Sequence, residues 1–267
     1  MINKMEELNT TLILSKNELW YLVKIFGPGT VIGITDPTSA LTAEEIAKQE
    51  VEVEKSLIKN GHLYETETKS LKLDERLAPI LFACIHPHHV LAVTDLLTNN
   101  ESYFYFLPGF HLKLSEQADQ YVLTVLKYRH EILSSVLSSW PLDQLTSNSD
   151  FNLVVDERDF EWALYLIGEG TVEKAVKLIK KDEEINVIEK LLRDLSQRDL
   201  HLDFNMIYHI NNQKLLNNSQ QQLIQSQGQL YWLTRYYHGD NQRWELEIQS
   251  ITYEQIKTHF EHMLPIY

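Results

Sequence analysis

Four side chains that could bind a soft metal ion stand close together, in the order Cys84, His86, His88 and His89. Thiolate and imidazole groups are the ligands that zinc and copper prefer. The spacing is not that of a zinc finger, and the chain has no second cysteine to complete one. The pattern favours a buried cysteine on the apolar face of a helix, followed by surface histidines. It predicts no metal site here and no cofactor elsewhere.

Other patterns that could do chemistry also have structural explanations. The glycine turn at 27–30 lacks the preceding strand, the following helix and the lysine that a phosphate-binding loop needs. The acids Asp156, Glu157, Asp159 and Glu161 stand where they would stabilise the first turn of a helix. The chain contains no Gly-x-Ser-x-Gly nucleophile motif. The residues therefore predict no catalytic site and favour a protein that is not an enzyme.

Composition restricts the classes of protein further. The 267 residues are 43% hydrophobic and carry a net charge of -14. Such a charge disfavours nucleic acid and anionic membranes, because both are bound through Lys and Arg. No apolar run is long enough to cross a bilayer, and the start of the sequence is polar and acidic rather than a secretory signal. These features predict a cytoplasmic protein without membrane insertion.

Hydrophobic periodicity and capping patterns predict an α+β fold in two similar halves. Each half is predicted to contain three helices, three strands and a last helix. In the first half the predicted helices are 15–26, 42–61, 73–85 and 129–140, and the predicted strands are 90–97, 102–107 and 121–126. In the second half the predicted helices are 156–167, 173–180, 184–197 and 253–264, and the predicted strands are 202–210, 229–238 and 243–250.

Short sequence matches relate the two halves to each other. The turn at 27–31 reads Gly-Pro-Gly-Thr-Val, and the turn at 168–172 reads Gly-Glu-Gly-Thr-Val. We call the step in numbering from Gly27 to Gly168 the repeat offset. Near the ends of the halves, the alternating apolar residues of 121–125 match those of 244–248, so that Leu123 is matched with Leu246. The shared order of elements predicts an internal duplication, with halves at 1–146 and 151–267 and a linker at 147–150.

Four stretches resemble the EspG family, the cytosolic chaperones of mycobacterial type VII secretion. They are the helix 14–26, the acidic helix from Thr42 to the Gly-His-Leu of 61–63, the Leu-Phe-Ala-Cys of 81–84, and the aromatic strand 103–106. Related proteins accompany type VII systems in Gram-positive bacteria of low GC content. The resemblance covers nearly the whole chain. It implies two quasi-symmetric halves that build one central antiparallel sheet flanked by helices.

The resemblance also implies a function. A protein of this kind binds a helical secreted protein and keeps it soluble until export. In mycobacteria the substrates are Pro-Glu and Pro-Pro-Glu proteins, and no motif here identifies the corresponding partner or the oligomeric state.

The partner is predicted to bind loops at the ends of the sheet. The segments 108–120 and 211–227 are read as long loops at equivalent places in the two halves, and such loops are often functional. Both contain apolar side chains among polar ones, and these could dominate an interface. The alternative is that they fold back onto their own domain. The predicted partner-binding residues are Phe110, Leu112, Leu114, Leu215, Leu216, Leu223 and Ile224.

A second class of function stays open beside the chaperone or adaptor. The chain could be an enzyme or a small-molecule-binding protein whose site assembles only in the fold. A deep pocket with converging polar groups would favour that class. An exposed apolar groove or patch would favour the binding of a protein partner.

Overall fold

The computed structural model describes residues 11–27, 31–137, 151–179, 185–210, 213–216, 219–238 and 243–264. At its centre lies one large sheet in which each strand pairs antiparallel with its neighbours. Helices cover both faces of this sheet. The predicted α+β class with a central antiparallel sheet is confirmed. Among the described residues, no helix has the length and apolar character needed to cross a membrane.

The first half begins with a strand and ends with a helix. Its elements are β1 (Thr11–Ser15), α1 (Lys16–Phe26), α2 (Ala43–Lys59), β2 (Leu63–Glu65), β3 (Leu71–Leu73), α3 (Leu77–Ile85), β4 (His89–Asp95), β5 (Asn100–Leu107), β6 (Phe110–Gln117), β7 (Gln120–Leu126) and α4 (Arg129–Leu137). β2 and β3 form a separate two-stranded sheet.

The second half follows a similar order. Its elements are β8 (Asn152–Asp156), α5 (Glu157–Gly168), α6 (Val172–Ile179), α7 (Ile185–Ser196), β9 (Leu200–Ile210), β10 (Gln213–Leu216), β11 (Ser219–Ser226), β12 (Gln229–His238), β13 (Arg243–Ser250) and α8 (Tyr253–Met263). The predicted linker 147–150 lies outside the described residues.

The strand order is quasi-symmetric about the centre of the sheet. Across the sheet it is β1-β7-β6-β5-β4-β9-β11-β12-β13-β8, with β10 pairing with β9 beside β11. From β4 outward, the first half has β5, β6 and β7 and then its first strand, β1. From β9 outward, the second half has β11, β12 and β13 and then its first strand, β8. The halves join where β4 pairs with β9, from His89 opposite Tyr208 to Asp95 opposite Leu202.

Three apolar cores surround the sheet. The first-half core packs α1, α2 and α3 on the strands of that half. The second-half core packs α5, α6 and α7 on the other strands. The shared core lies under α4 and α8 and contains strand residues of both halves, such as Phe104 and Phe204.

Strand register shows on which face each core lies. Directly paired residues share a face, and so do alternate residues of one strand. Val90 of the first-half core pairs with Ile207 of β9. His201 lies on the same face of β9 as Ile207, and it pairs with Ile224 of the second-half core. The two cores therefore lie on one face of the sheet. Leu91, one residue after Val90, belongs to the shared core on the opposite face.

The helices that pack on the sheet were all predicted, but several strands were missed. β1 and β8 pair with β7 and β13 at the two edges, directly before the predicted helices 15–26 and 156–167, where the sequence analysis predicted no strand. β6 and β11 fill the segments 108–120 and 211–227, which the sequence analysis read as loops. In the turn between β6 and β7, Ala118 takes the left-handed conformation that glycine usually occupies, with φ 52°. Because the turn has no glycine, the sequence did not indicate a hairpin there.

The match between the ends of the halves needs a correction. Leu12 pairs with Leu123, and Leu153, which lies one repeat offset after Leu12, pairs with Ile248. Leu123 thus corresponds to Ile248 rather than to Leu246, the next residue on the same face of β13. A slip of this kind keeps every side chain on its own face, so the apolar pattern alone did not reveal it.

The first helix of each half begins at an equivalent cap. Ser15 caps α1 in a capping box with Glu18, and its Oγ accepts from the Glu18 amide at 3.2 Å. Asp156, one repeat offset after Ser15, caps α5 and accepts from the Arg158 amide at 3.0 Å. These side chains satisfy amides that have no partner within the helix.

We expect Ser15→Ala to lower the free energy of unfolding by about 1 kcal/mol, because the Glu18 amide loses its acceptor and the Glu18 carboxylate loses one of its donors. Urea denaturation followed by circular dichroism measures this loss. Ser134→Ala in α4 is the control, since that hydroxyl only bonds back to the His130 carbonyl of its own helix. Equal effects of the two substitutions would show that the cap does not contribute.

Candidate functional site

The predicted partner-binding residues of the first half are core residues. Phe110, Leu112 and Leu114 alternate along β6, and at most 6% of any of them is exposed. They face the helices of their own half in the first-half core. The prediction that they protrude from a loop toward a partner is wrong, and they fold back onto their own domain.

The second predicted loop is also part of the sheet. Leu223 lies in the shared core and Ile224 in the second-half core, and both are buried. The prediction of exposed loop residues is wrong for these two as well. Leu215 and Leu216 lie on β10, and their role in binding stays a prediction. The segments are not equivalent either, because β6 corresponds to β12 and β11 to β5 in the strand order.

The candidate metal cluster is spread between core and surface. Cys84 is buried in the first-half core, and this burial raises the pKa of its thiol. His86 ends α3 as an exposed cap whose ring lies 5.0 Å from that of Phe82, and His88 is exposed. Within the described parts of the chain, no group of three His, Cys, Asp or Glu side chains could hold a metal ion.

A strip of polar residues crosses the sheet between the two helix-covered cores. Asp203 and Asn205 lie two residues apart on β9. Asp203 is paired with Thr94 of β4 on one side and with Gln222 of β11 on the other. These four side chains share the face of the first-half and second-half cores and are partly exposed. We call them, together with His201, the polar strip. It is the part of this face that carries no apolar core.

Hydrogen bonds link four residues of the polar strip, His201, Gln222, Asp203 and Asn205, into one network. Gln222 Nε2 donates to Asp203 Oδ1 at 3.2 Å, so its Oε1 accepts from His201 Nε2 at 3.0 Å. Asn205 Nδ2 donates to the other Asp203 oxygen. His201 Nδ1 is buried and has no hydrogen-bond partner among the described residues. The network fixes the polar side chains on the sheet, as a binding surface requires, but places no nucleophile beside a base.

Arg235 joins the polar side of the sheet to α5. Its guanidinium forms an ion pair with Glu157 at 2.5 Å and donates to Gln220 Oε1 at 2.7 Å. It also lies 4.7 Å from the centre of the Trp244 ring. The ion pair with Glu157 thus holds the start of α5 against β12, while the other two contacts tie the same guanidinium to β11 and β13.

Two cavities in the described structure differ in size and form. One crevice between α1 and α2 has about 10 Å³ of space, enough for a single water molecule. An open depression of about 410 Å³ lies beside α7 and is lined by Glu189, Lys190, Arg193 and other polar residues. Small-molecule sites are normally enclosed and largely apolar, and neither of these two cavities has that form.

Large apolar side chains are instead exposed on the helices. On α5, Trp162 and Tyr165 stack with ring centres 5.0 Å apart, and each is 55% exposed. On the first half, Phe82 of α3 is also 55% exposed, and Phe26 is exposed at the end of α1. Exposed aromatic groups of this size are typical of protein-binding surfaces. No motif marked them in the sequence, because helix periodicity alone does not show which faces another helix covers.

Comparison with known proteins adds a likeness of fold. No family model and no curated protein matches the sequence. Among solved structures, the chain is similar to the type VII secretion system chaperone EspG5 of Mycobacterium tuberculosis, which was determined in complex with a PE25-PPE41 dimer. The TM-score is 0.68 at 12% sequence identity, and the match covers 94% of this chain and 95% of EspG5. The chain therefore has the EspG fold over nearly its whole length.

We expect Leu223→Ala to lower the free energy of unfolding by about 2–5 kcal/mol, because it leaves a cavity in the shared core. Leu178→Ala is the matched control, since that side chain lies on the surface of α6 and is 38% exposed. Urea denaturation measures both. A small and equal loss in the two variants would restore the interpretation of 211–227 as a surface loop.

His201 predicts a pH dependence of stability. Burial lowers the pKa of His201 below 6.5, an effect that Arg198 strengthens and Gln222, Asp203 and Asp95 oppose. Below pH 6.5 the unfolded chain therefore binds a proton that the folded chain does not, and this contribution to stability is lost as the pH falls toward the lowered pKa. We expect the loss of melting temperature between pH 7 and pH 5 to be smaller in His201→Gln than in the wild type.

The exposed His86 is the control for this measurement. His86→Gln should leave the difference in melting temperature between pH 7 and pH 5 as it is in the wild type. An unchanged pH dependence in His201→Gln would contradict the assignment.

Proposed function

We propose that the protein is a cytosolic chaperone or adaptor that binds a helical type VII secretion substrate before export. The observation that carries the proposal is the fold, which matches that of a type VII secretion chaperone over 94% of the chain. The EspG5 structure contains a PE25-PPE41 dimer, so this fold can bind another protein. We infer that the present chain uses it in the same general way.

The surface of the molecule supports a binding role. Large aromatic side chains are exposed on helices, while the crevice between α1 and α2 is very small and the depression beside α7 is open and polar. The polar strip has a hydrogen-bonded network that can orient a partner on the sheet. A net charge of -14 favours a partner with basic residues at the contact.

The experiment is a pull-down of the tagged protein from its native host, followed by mass spectrometry. We expect a secreted helical protein that co-elutes with the chaperone in size-exclusion chromatography after both are purified. Deletion of the chaperone should lower the soluble amount of that protein in the cytosol at an unchanged level of its messenger RNA. If no secreted protein is enriched over an untagged control, or if its solubility does not depend on the chaperone, the proposal fails.

A further inference from the structure

The outer face of α5 carries an aromatic pair that no other described element covers. We define this face by six residues, all of which are exposed: Arg158, Asp159, Glu161, Trp162, Tyr165 and Glu169. The rings of Trp162 and Tyr165 stack on each other rather than on a neighbouring helix. A stacked pair that is more than half exposed offers a large, rigid contact area.

In the first half, the corresponding helix face is covered. The caps Ser15 and Asp156 are equivalent, so the repeat offset places Tyr21 at the position of Trp162. It also places Glu18 at the position of Asp159 and Lys24 at the position of Tyr165. Yet only 8% of Tyr21 and of Glu18 is exposed, because α2 lies across them.

The contacts between α1 and α2 show how a helix occupies this face. Tyr21 donates to Glu54 at 2.6 Å, and Ser56 donates to the second oxygen of Glu18 at 2.8 Å. Lys24 forms an ion pair with Glu50. In these contacts the residue numbers rise along α1 while those of their partners fall along α2, so the two helices run antiparallel. Val53 and Leu57 of α2 are buried in the first-half core.

The described part of the second half has no helix in that place. α6 has 8 residues where α2 has 17. It turns back directly after α5 and buries Ala175, Val176 and Ile179 in the second-half core. Packed in this way, α6 leaves Trp162 and Tyr165 exposed. In the first half, α2 covers the outer face of α1. In the described part of the second half, no helix covers the corresponding face of α5.

We propose that the outer face of α5 binds a basic amphipathic α-helix of the client, antiparallel to α5 as α2 is to α1. This inference rests on the proposed function and adds the surface and the chemistry of the partner. Asp159, Glu161 and Glu169 carry negative charge beside the aromatic pair, and on this face only Arg158 opposes them. The client helix therefore presents apolar side chains flanked by Lys or Arg.

The chemistry of the face favours arginine at the contact. A guanidinium group stacks on the face of Trp or Tyr and at the same time donates hydrogen bonds to a carboxylate. Trp and Tyr are also the residues that contribute most to protein interfaces when they become buried. The ion pair, hydrogen bond and stack that Arg235 makes with Glu157, Gln220 and Trp244 show this combination within the chain itself.

The test uses the full chain and a defined probe. The probe is a fluorescent helical peptide of Leu, Ala, Lys and Arg, about as long as α2, with a second peptide in which Glu replaces Lys and Arg. We expect the basic peptide to bind the wild type and the acidic one to bind at least tenfold more weakly. Trp162→Ser/Tyr165→Ser should weaken binding of the basic peptide at least tenfold, and Glu161→Lys several-fold. Fluorescence anisotropy measures the affinities.

Val51→Ser is the matched control, because Val51 is 53% exposed, nearly as much as Trp162, but lies on α2 of the other half. It should bind the basic peptide as the wild type does. All variants should melt within a few degrees of the wild type, since the changed side chains are on the surface. Equal affinities of the double variant and the control would overturn the proposal.

The pull-down distinguishes this proposal from the proposed function. If the double variant retains the secreted client as well as the wild type does, the chaperone function stands and the α5 face is not its interface. If neither retains a secreted client, the function itself fails. Light scattering tests a second copy of the chain as the occupant: a wild-type dimer that the double variant converts to a monomer would overturn the proposal in favour of self-association.

Discussion

The antiparallel pairing of β4 with β9 is the interaction on which the rest of the architecture depends. It joins the five strands of the first half and the six of the second into one sheet, from His89 opposite Tyr208 to Asp95 opposite Leu202. The shared core lies across this junction, where Phe104 and Phe204 pack beneath α4 and α8. On the opposite face the helices of each half stay over their own strands, which leaves the polar strip between them. A single strand pair thus sets the positions of both helical layers and of the surface that separates them.

The difference between the halves, rather than their symmetry, decides which helix faces stay exposed. Equivalent caps at Ser15 and Asp156 begin equivalent helices, but the 17 residues of α2 and the 8 of α6 cover them differently. In the first half, α2 covers α1 and buries Tyr21 and Glu18. Leaving α5 open exposes Trp162 and Tyr165. The same order of elements thus leaves one helix face covered and the corresponding face exposed.

Residues with a local physical signal were the ones that the sequence predicted well. Capping boxes such as Ser15 with Glu18, and regular apolar spacing, placed the helices within a few residues. The sheet was harder to predict because its signals are not local. β11 was taken for a loop, since its glutamines are polar, yet Gln222 is satisfied by His201 and Asp203 across the sheet. The aromatic pair on α5 could not be predicted, because its exposure depends on where α6 packs.

The shared core has a consequence for synthesis of the chain on the ribosome. Residues up to α4 leave the ribosome long before β9, so Leu91, Val93 and Phe104 have no second half to pack against during that interval. The β4 edge is also unpaired then, and an open strand edge next to apolar side chains is prone to association with other chains. The nascent first half is therefore prone to association until β9 is synthesised and pairs with β4.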